Sequence, residues 1–195
     1  NASARMPRRV PWLDGVALAS LAALVLLEAG GVPDAVLAAA ALIAAVAHGA
    51  RLALWRGLAT RREPIVWVLH LGYAWIVVGL ALAALAAATG AIPGAIAVHA
   101  LGTGAIGTMI LAVMSRASLG HTGRRLIAPR AIVWAYSLVT LAALLRVAGP
   151  VLAPQHYATT LALAAFAWIG AFLLFTVVYA PILTTPRVHT KGAGA

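Results

Sequence analysis

Long apolar runs alternate with short polar breaks along the whole chain, and each run has the length of a bilayer crossing. A spanning helix needs about 20 mainly apolar residues. Six segments meet that requirement, at about Trp12–Ala29, Asp34–Trp55, Pro64–Thr89, Gly94–Ser115, Ala131–Ala148 and Tyr157–Ile182. Several of the breaks hold residues that stop helices: Gly30-Gly31-Val32-Pro33, Thr89-Gly90-Ala91-Ile92-Pro93-Gly94, and Gly149-Pro150 through Pro154. The period-two alternation of a strand is missing throughout. The pattern predicts an all-α fold, a polytopic transmembrane bundle of six helices forming a single membrane domain over residues 1–195.

Composition makes lipid the only workable solvent for those helices. Of the residues, 64% are hydrophobic and 9% charged, against roughly 25% charged in a soluble domain. The net charge of +10 could suit a nucleic acid, but its distribution excludes that partner, because the basic residues gather in short clusters between the apolar runs. Arg5, Arg8 and Arg9 precede the first span. Arg51, Arg56, Arg61 and Arg62 surround the second connection, and Arg116, Arg124, Arg125 and Arg130 the fourth. Arg187 and Lys191 follow the last span. Thirteen of the fourteen basic residues therefore fall on one side, and Arg146 alone on the other. The positive-inside rule makes the crowded side, and with it both ends of the chain, cytoplasmic. Trp12, Trp55, Trp67, Trp134 and Tyr179 near the cytoplasmic ends, and Tyr157 near an outer one, read as interfacial anchors.

The chain has no cysteine, which excludes disulfides, thiolate metal sites, iron–sulfur clusters and covalently attached c-type haem. It begins at Asn1 without an initiator methionine, and Asp14 interrupts the first apolar run. Those features point to a piece of a longer protein and away from a signal peptide.

Ionisable residues inside spans are costly and mark function by default. Three histidines qualify. His48 lies eight residues before Arg56 and His70 six after Pro64, about 12 Å and about 9 Å from the cytoplasmic boundary at 1.5 Å per residue. Imidazoles at similar depth on adjacent antiparallel helices could ligate one metal or both faces of a haem, or could each hydrogen-bond a neighbouring helix. His99 lies about 9 Å below the outer boundary, counting from Pro93. It is too far in depth to share a metal comfortably with the other two, so it serves a second site, finds its partner elsewhere, or makes a structural hydrogen bond. Imidazole suits both copper and haem iron.

The fourth span reads Gly102-Thr103-Gly104-Ala105-Ile106-Gly107, formally a dinucleotide fingerprint. That motif needs a preceding strand in a βαβ unit, and a mid-membrane position excludes it. Ala100, Gly104, Thr108 and Ala112 instead form a small-residue stripe for close helix approach. Met109 and Met114 are possible copper(I) ligands or apolar filler. The connection Ser118-Leu119-Gly120-His121-Thr122-Gly123-Arg124-Arg125 could cradle an anion or a lipid phosphate, or be an ordinary basic loop. Glu28 or Asp34 could pair with Arg146 on the outer side. His156 and His189 suggest no role. No paired carboxylates or nucleophile–base arrangement indicates a hydrolase.

Several stretches resemble the NnrS family. These are His48-Gly49-Ala50-Arg51-Leu52-Ala53-Leu54-Trp55-Arg56, Trp67-Val68-Leu69-His70-Leu71-Gly72-Tyr73-Ala74-Trp75, and the run from His99-Ala100-Leu101 through Gly107-Thr108-Met109 and Val113-Met114-Ser115-Arg116-Ala117 to Leu119-Gly120-His121-Thr122-Gly123-Arg124. Tyr179-Ala180-Pro181-Ile182-Leu183 and Pro186-Arg187 fit the family's last helix and tail, while Val188-His189 depart from its ending. The resemblance implies a bacterial inner-membrane protein with haem and copper, linked to nitric oxide and tolerance of nitrosative stress. It further implies about twelve helices in the whole protein, of which this chain would be the C-terminal half, partnered by an N-terminal half. Joined to that implication, His48, His70 and His99 become candidate cofactor ligands, and His99, Met109 and Met114 candidate metal ligands. The competing expectation from the same six spans is half of a transporter or permease without a redox cofactor.

Overall fold

A computed structural model describes residues 8–188; Arg5, His189 and Lys191 lie outside the described residues. The described residues fold into six helices long and apolar enough to cross a membrane: α1 Pro11–Ala29, α2 Asp34–Leu54, α3 Pro64–Thr89, α4 Ala95–His121, α5 Arg130–Leu152 and α6 Tyr157–Thr184. No strand occurs among the described residues. Pro11 and Pro64 open α1 and α3 at positions where the missing N–H costs nothing, and Gly90, at φ 63°, ends α3 in the left-handed conformation.

One helix runs on through a break that the sequence suggested, and another carries a proline inside its length. A proline leaves the carbonyl four residues back without its helical partner and crowds it, but the loss stays local when only a few helical residues follow. α5 passes through Pro150 to Leu152, and α6 through Pro181 to Thr184. Gly149 contributes by close packing, since a Cβ there would meet Thr160 Cβ at 2.8 Å. α4 also continues six residues beyond Ser115, carrying Arg116 and His121 on helical backbone.

Each helix packs on its neighbour in sequence, and α4 also meets α6. Half of the apolar stretch of α4 is buried inside the bundle but only 11% of that of α1, so α4 is central and α1 peripheral. The main core joins α3 to α6 through Ile65, Val68, Leu111, Ile132, Tyr136 and Phe175. Alanines carry the interfaces of α1, α2 and α3: Ala17 against Ala47, and Ala44 and Ala45 against Leu80. Small residues let helices approach closely in lipid, where packing must replace the hydrophobic drive. Leu18, Val46, Val98, Phe166 and Val177 point outwards, a face suited to acyl chains. Tyr179 is not the interfacial anchor its position suggested. It is fully buried on α6, stacked on Phe175 at 4.7 Å.

The stripe Ala100, Gly104, Thr108 and Ala112 is buried as its spacing implied. Trp75 of α3 lies directly against Gly104, and Trp168 of α6 against Gly107, leaving no room for a Cβ at either glycine. Residues Ala100–Ile106 take π-helical pitch, starting immediately after His99. Such bulges recur at functional sites.

Candidate functional site

Three neighbourhoods hold the histidines singled out in the sequence. His48 sits on the face of α2 that meets α1 and α3, and is only 3% exposed. Its Nε2 lies 3.0 Å from the Ala17 carbonyl on α1, which can only accept, so Nε2 donates. Nδ1 must then accept from the Tyr73 hydroxyl on α3 at 2.6 Å. Arg51 Nη1 donates to the same hydroxyl oxygen at 2.8 Å, and Arg51 Nε to Asp14 at 2.6 Å. The series Asp14–Arg51–Tyr73–His48–Ala17 thus stitches three helices together with every proton assigned. Both nitrogens of His48 are used.

His70 is placed differently. It lies one turn before Tyr73 on α3, and its Nδ1 donates to the Val66 carbonyl one turn back, at 3.2 Å. The bond fixes the tautomer and leaves Nε2 with a free lone pair, the arrangement metal-bound histidines show. His70 lines a cleft of about 1210 Å³ between α2, α3 and their connection. Leu52, Leu58, Trp67 and Leu71 supply apolar walls, while Arg56 and Arg61 stand among the lining residues. The connection forms a short helical turn over Gly57–Thr60, entered through Arg56 at φ 55°. A left-handed arginine is strained, and such strain collects where surroundings enforce it. Here it brings Gly57 against the His70 ring so closely that a Cβ would meet Cδ2 at 2.8 Å.

His48 and His70 do not face one another. The aromatic path between them runs from His48 to Tyr73 at 5.5 Å, Tyr73 to Trp55 at 4.5 Å, and Trp55 edge-on to His70 at 6.1 Å between centroids. The Arg51 guanidinium lies 4.8 Å above Trp55. Trp55 is therefore a support of the His70 ring, a role its place near a span end did not reveal.

His99 opens on a separate cleft of about 460 Å³ at the opposite end, with Thr103, Arg146, Leu161 and Trp168. Met109 does not reach it, since its thioether packs on Gly72. Met114 is 42% exposed on the outer surface of α4. Among the described residues no three of His, Cys, Asp and Glu gather as a metal site. Arg146 donates to the Tyr157 hydroxyl at 3.2 Å and forms no ion pair with Glu28 or Asp34. Those two acids line another cleft, between α1, α2, α3 and the start of α4.

Spacing also left a buried hydroxyl cluster unseen. Ser115 of α4 lies within interacting range of Tyr136 on α5 and Tyr179 on α6. None of the three side-chain oxygens meets hydrogen-bond geometry.

No curated protein and no solved structure matches the chain. The family model described as NnrS protein matches residues 1–187, which takes in every helix and all three histidine sites. The chain belongs to the NnrS family.

Proposed function

We propose that this chain is a haem-bearing protein of the bacterial inner membrane that acts in the response to nitric oxide, with the haem held in the cleft at His70. One observation supports this most. The Nδ1 bond to Val66 leaves the Nε2 lone pair of His70 free on a residue lining a large apolar cleft. A b-type haem needs an axial imidazole, apolar walls for its ring and cations for its propionates. His70, then Leu52, Leu58, Trp67 and Leu71, then Arg56 and Arg61 fit those needs in turn. Haem iron would supply a binding position for a diatomic gas. The chain's residues would orient the axial ring, keep water from the apolar walls and neutralise the carboxylates.

Copper fits this chain's own donors poorly. His99 stands without Met109 and Met114, so any copper there draws its other ligands from outside the described residues. The charge pattern supports a topology with both ends of the chain in the cytoplasm and His99 towards the outer side. A transporter half would be marked by unwound helices meeting at mid-membrane, whereas α4 widens to π pitch and stays helical.

The test is an optical spectrum of the purified full chain, oxidised and dithionite-reduced. Haem bands near stoichiometric amount are expected, with His70→Ala lowering haem per protein severalfold while membrane insertion persists. A flat spectrum after expression with ample haem would overturn the proposal.

A further inference from the structure

A cleft at the basic end of the bundle, separate from the His70 site, lies where α4 runs into its connection to α5. It encloses about 670 Å³. Leu69, Val113, Ala117 and Leu126 make its apolar part, and Arg116 and His121 its polar part. Val113 is exposed on the outer face of α4, so the apolar part is continuous with the lipid-facing surface. The helical extension beyond Ser115 creates this cleft, because it carries Arg116, Gly120 and His121 on one continuous helix.

The half-buried Arg116 is short of partners. Its one hydrogen bond among the described residues is a long one, 3.5 Å from Nη1 to the Ile65 carbonyl. The ion pairs of the described residues join Asp14 to Arg9 and Arg51, and no carboxylate lines the cleft. A partly buried cation without a counter-ion is costly at a membrane boundary. His121 is exposed and forms no side-chain hydrogen bond among the described residues. By contrast, the neighbouring Arg124 is engaged, donating to Thr185 Oγ1 at 2.8 Å and to the Ile182 carbonyl.

We propose that this cleft binds an anionic phospholipid, its phosphate between Arg116 and His121 and an acyl chain along Leu69 and Val113. Basic clefts between helices at the membrane surface recognise such headgroups. A free phosphate ion would satisfy Arg116 as well, but would leave the apolar part of the cleft without a partner. The proposal is independent of the haem reading.

Native mass spectrometry of the full chain, delipidated and then given phosphatidylglycerol or phosphatidylcholine, tests it. Phosphatidylglycerol should be retained severalfold over phosphatidylcholine, and millimolar inorganic phosphate should not displace it. Arg116→Gln should reduce retention to the phosphatidylcholine level, and Arg116→Lys should keep most of it. Gly120→Leu is the control for folding, because a Cβ there meets nothing within 4 Å. It should fill the cleft and lower retention without removing a charge. Equal retention of the two lipids, unchanged retention in both Arg116→Gln and Gly120→Leu, or displacement by inorganic phosphate would each overturn the proposal.

Discussion

His48 and His70 enter the bundle from adjacent helices at similar depth, yet their surroundings give them opposite chemistry. In the seam of α1, α2 and α3, His48 donates from Nε2 and accepts at Nδ1, so the ring holds helices together. At the cleft beside the α2–α3 connection, His70 spends Nδ1 on its own helix and keeps Nε2 free. Depth and spacing fix where an imidazole lies. What decides whether it binds helices or a ligand is the acceptor facing each nitrogen, and that is set by tertiary contacts.

Exchanging the tests across the two regions should give the largest effects. His48→Leu strands the Tyr73 hydroxyl and the Ala17 carbonyl. Bonds between membrane helices average about 0.6 kcal/mol, and stranded buried partners raise the expected loss to about 1–3 kcal/mol. Haem per folded protein should hardly change. His70→Ala should do the reverse, losing haem severalfold at nearly constant stability. Thermal unfolding in detergent and haem quantification on the same preparations would check both. If His48→Leu instead empties the protein of haem at unchanged stability, the contrast between the two histidines is wrong.

A gentler change sharpens the same contrast. Gly57→Val leaves every candidate ligand in place but sets a side chain against the His70 ring, which must shift. Haem content should fall, though less than in His70→Ala, with an altered absorption maximum in whatever haem remains. Helical content by circular dichroism should not move, because the turn Gly57–Thr60 packs mainly on α3. An unaltered spectrum at full occupancy would remove the turn from the site.

Much of this was legible in the chain. Apolar runs of bilayer length give the six helices, and the stripe Ala100, Gly104, Thr108 and Ala112 gives a buried face of α4, because length and small-residue spacing are local properties. The ends of α4 and α5 were less legible. Pro150 leaves the Arg146 carbonyl without its helical partner, but only two helical residues follow it, so little helix is lost, and nothing beyond Ser115 stops α4 before Thr122. The site was half legible: three histidines stood out by type and depth, but not which of them retains a free nitrogen. That depends on Ala17 and Tyr73, which are 31 and 25 residues away from His48. Met109 packs on Gly72 and Met114 lies on the exposed face of α4, placements that spacing could not give, since thioethers fill packing gaps as readily as they ligate.

The smallest expected effect compares one substitution in two places. Tyr73 and Tyr179 are both buried, but the Tyr73 hydroxyl accepts from Arg51 and donates to His48, while the Tyr179 hydroxyl lies near Ser115 without bonding geometry. Tyr73→Phe removes a bonded hydroxyl and leaves His48 Nδ1 and Arg51 Nη1 without that partner, which should destabilise the protein by about 1 kcal/mol. Tyr179→Phe removes a hydroxyl whose desolvation is uncompensated, so its cost should be near zero or slightly favourable. Thermal unfolding of the two variants side by side measures the difference. A loss at Tyr179 as large as that at Tyr73 would mean that Ser115, Tyr136 and Tyr179 share a working network, through a bound water or a small shift, and that α4, α5 and α6 are pinned by polar contacts just as α1, α2 and α3 are.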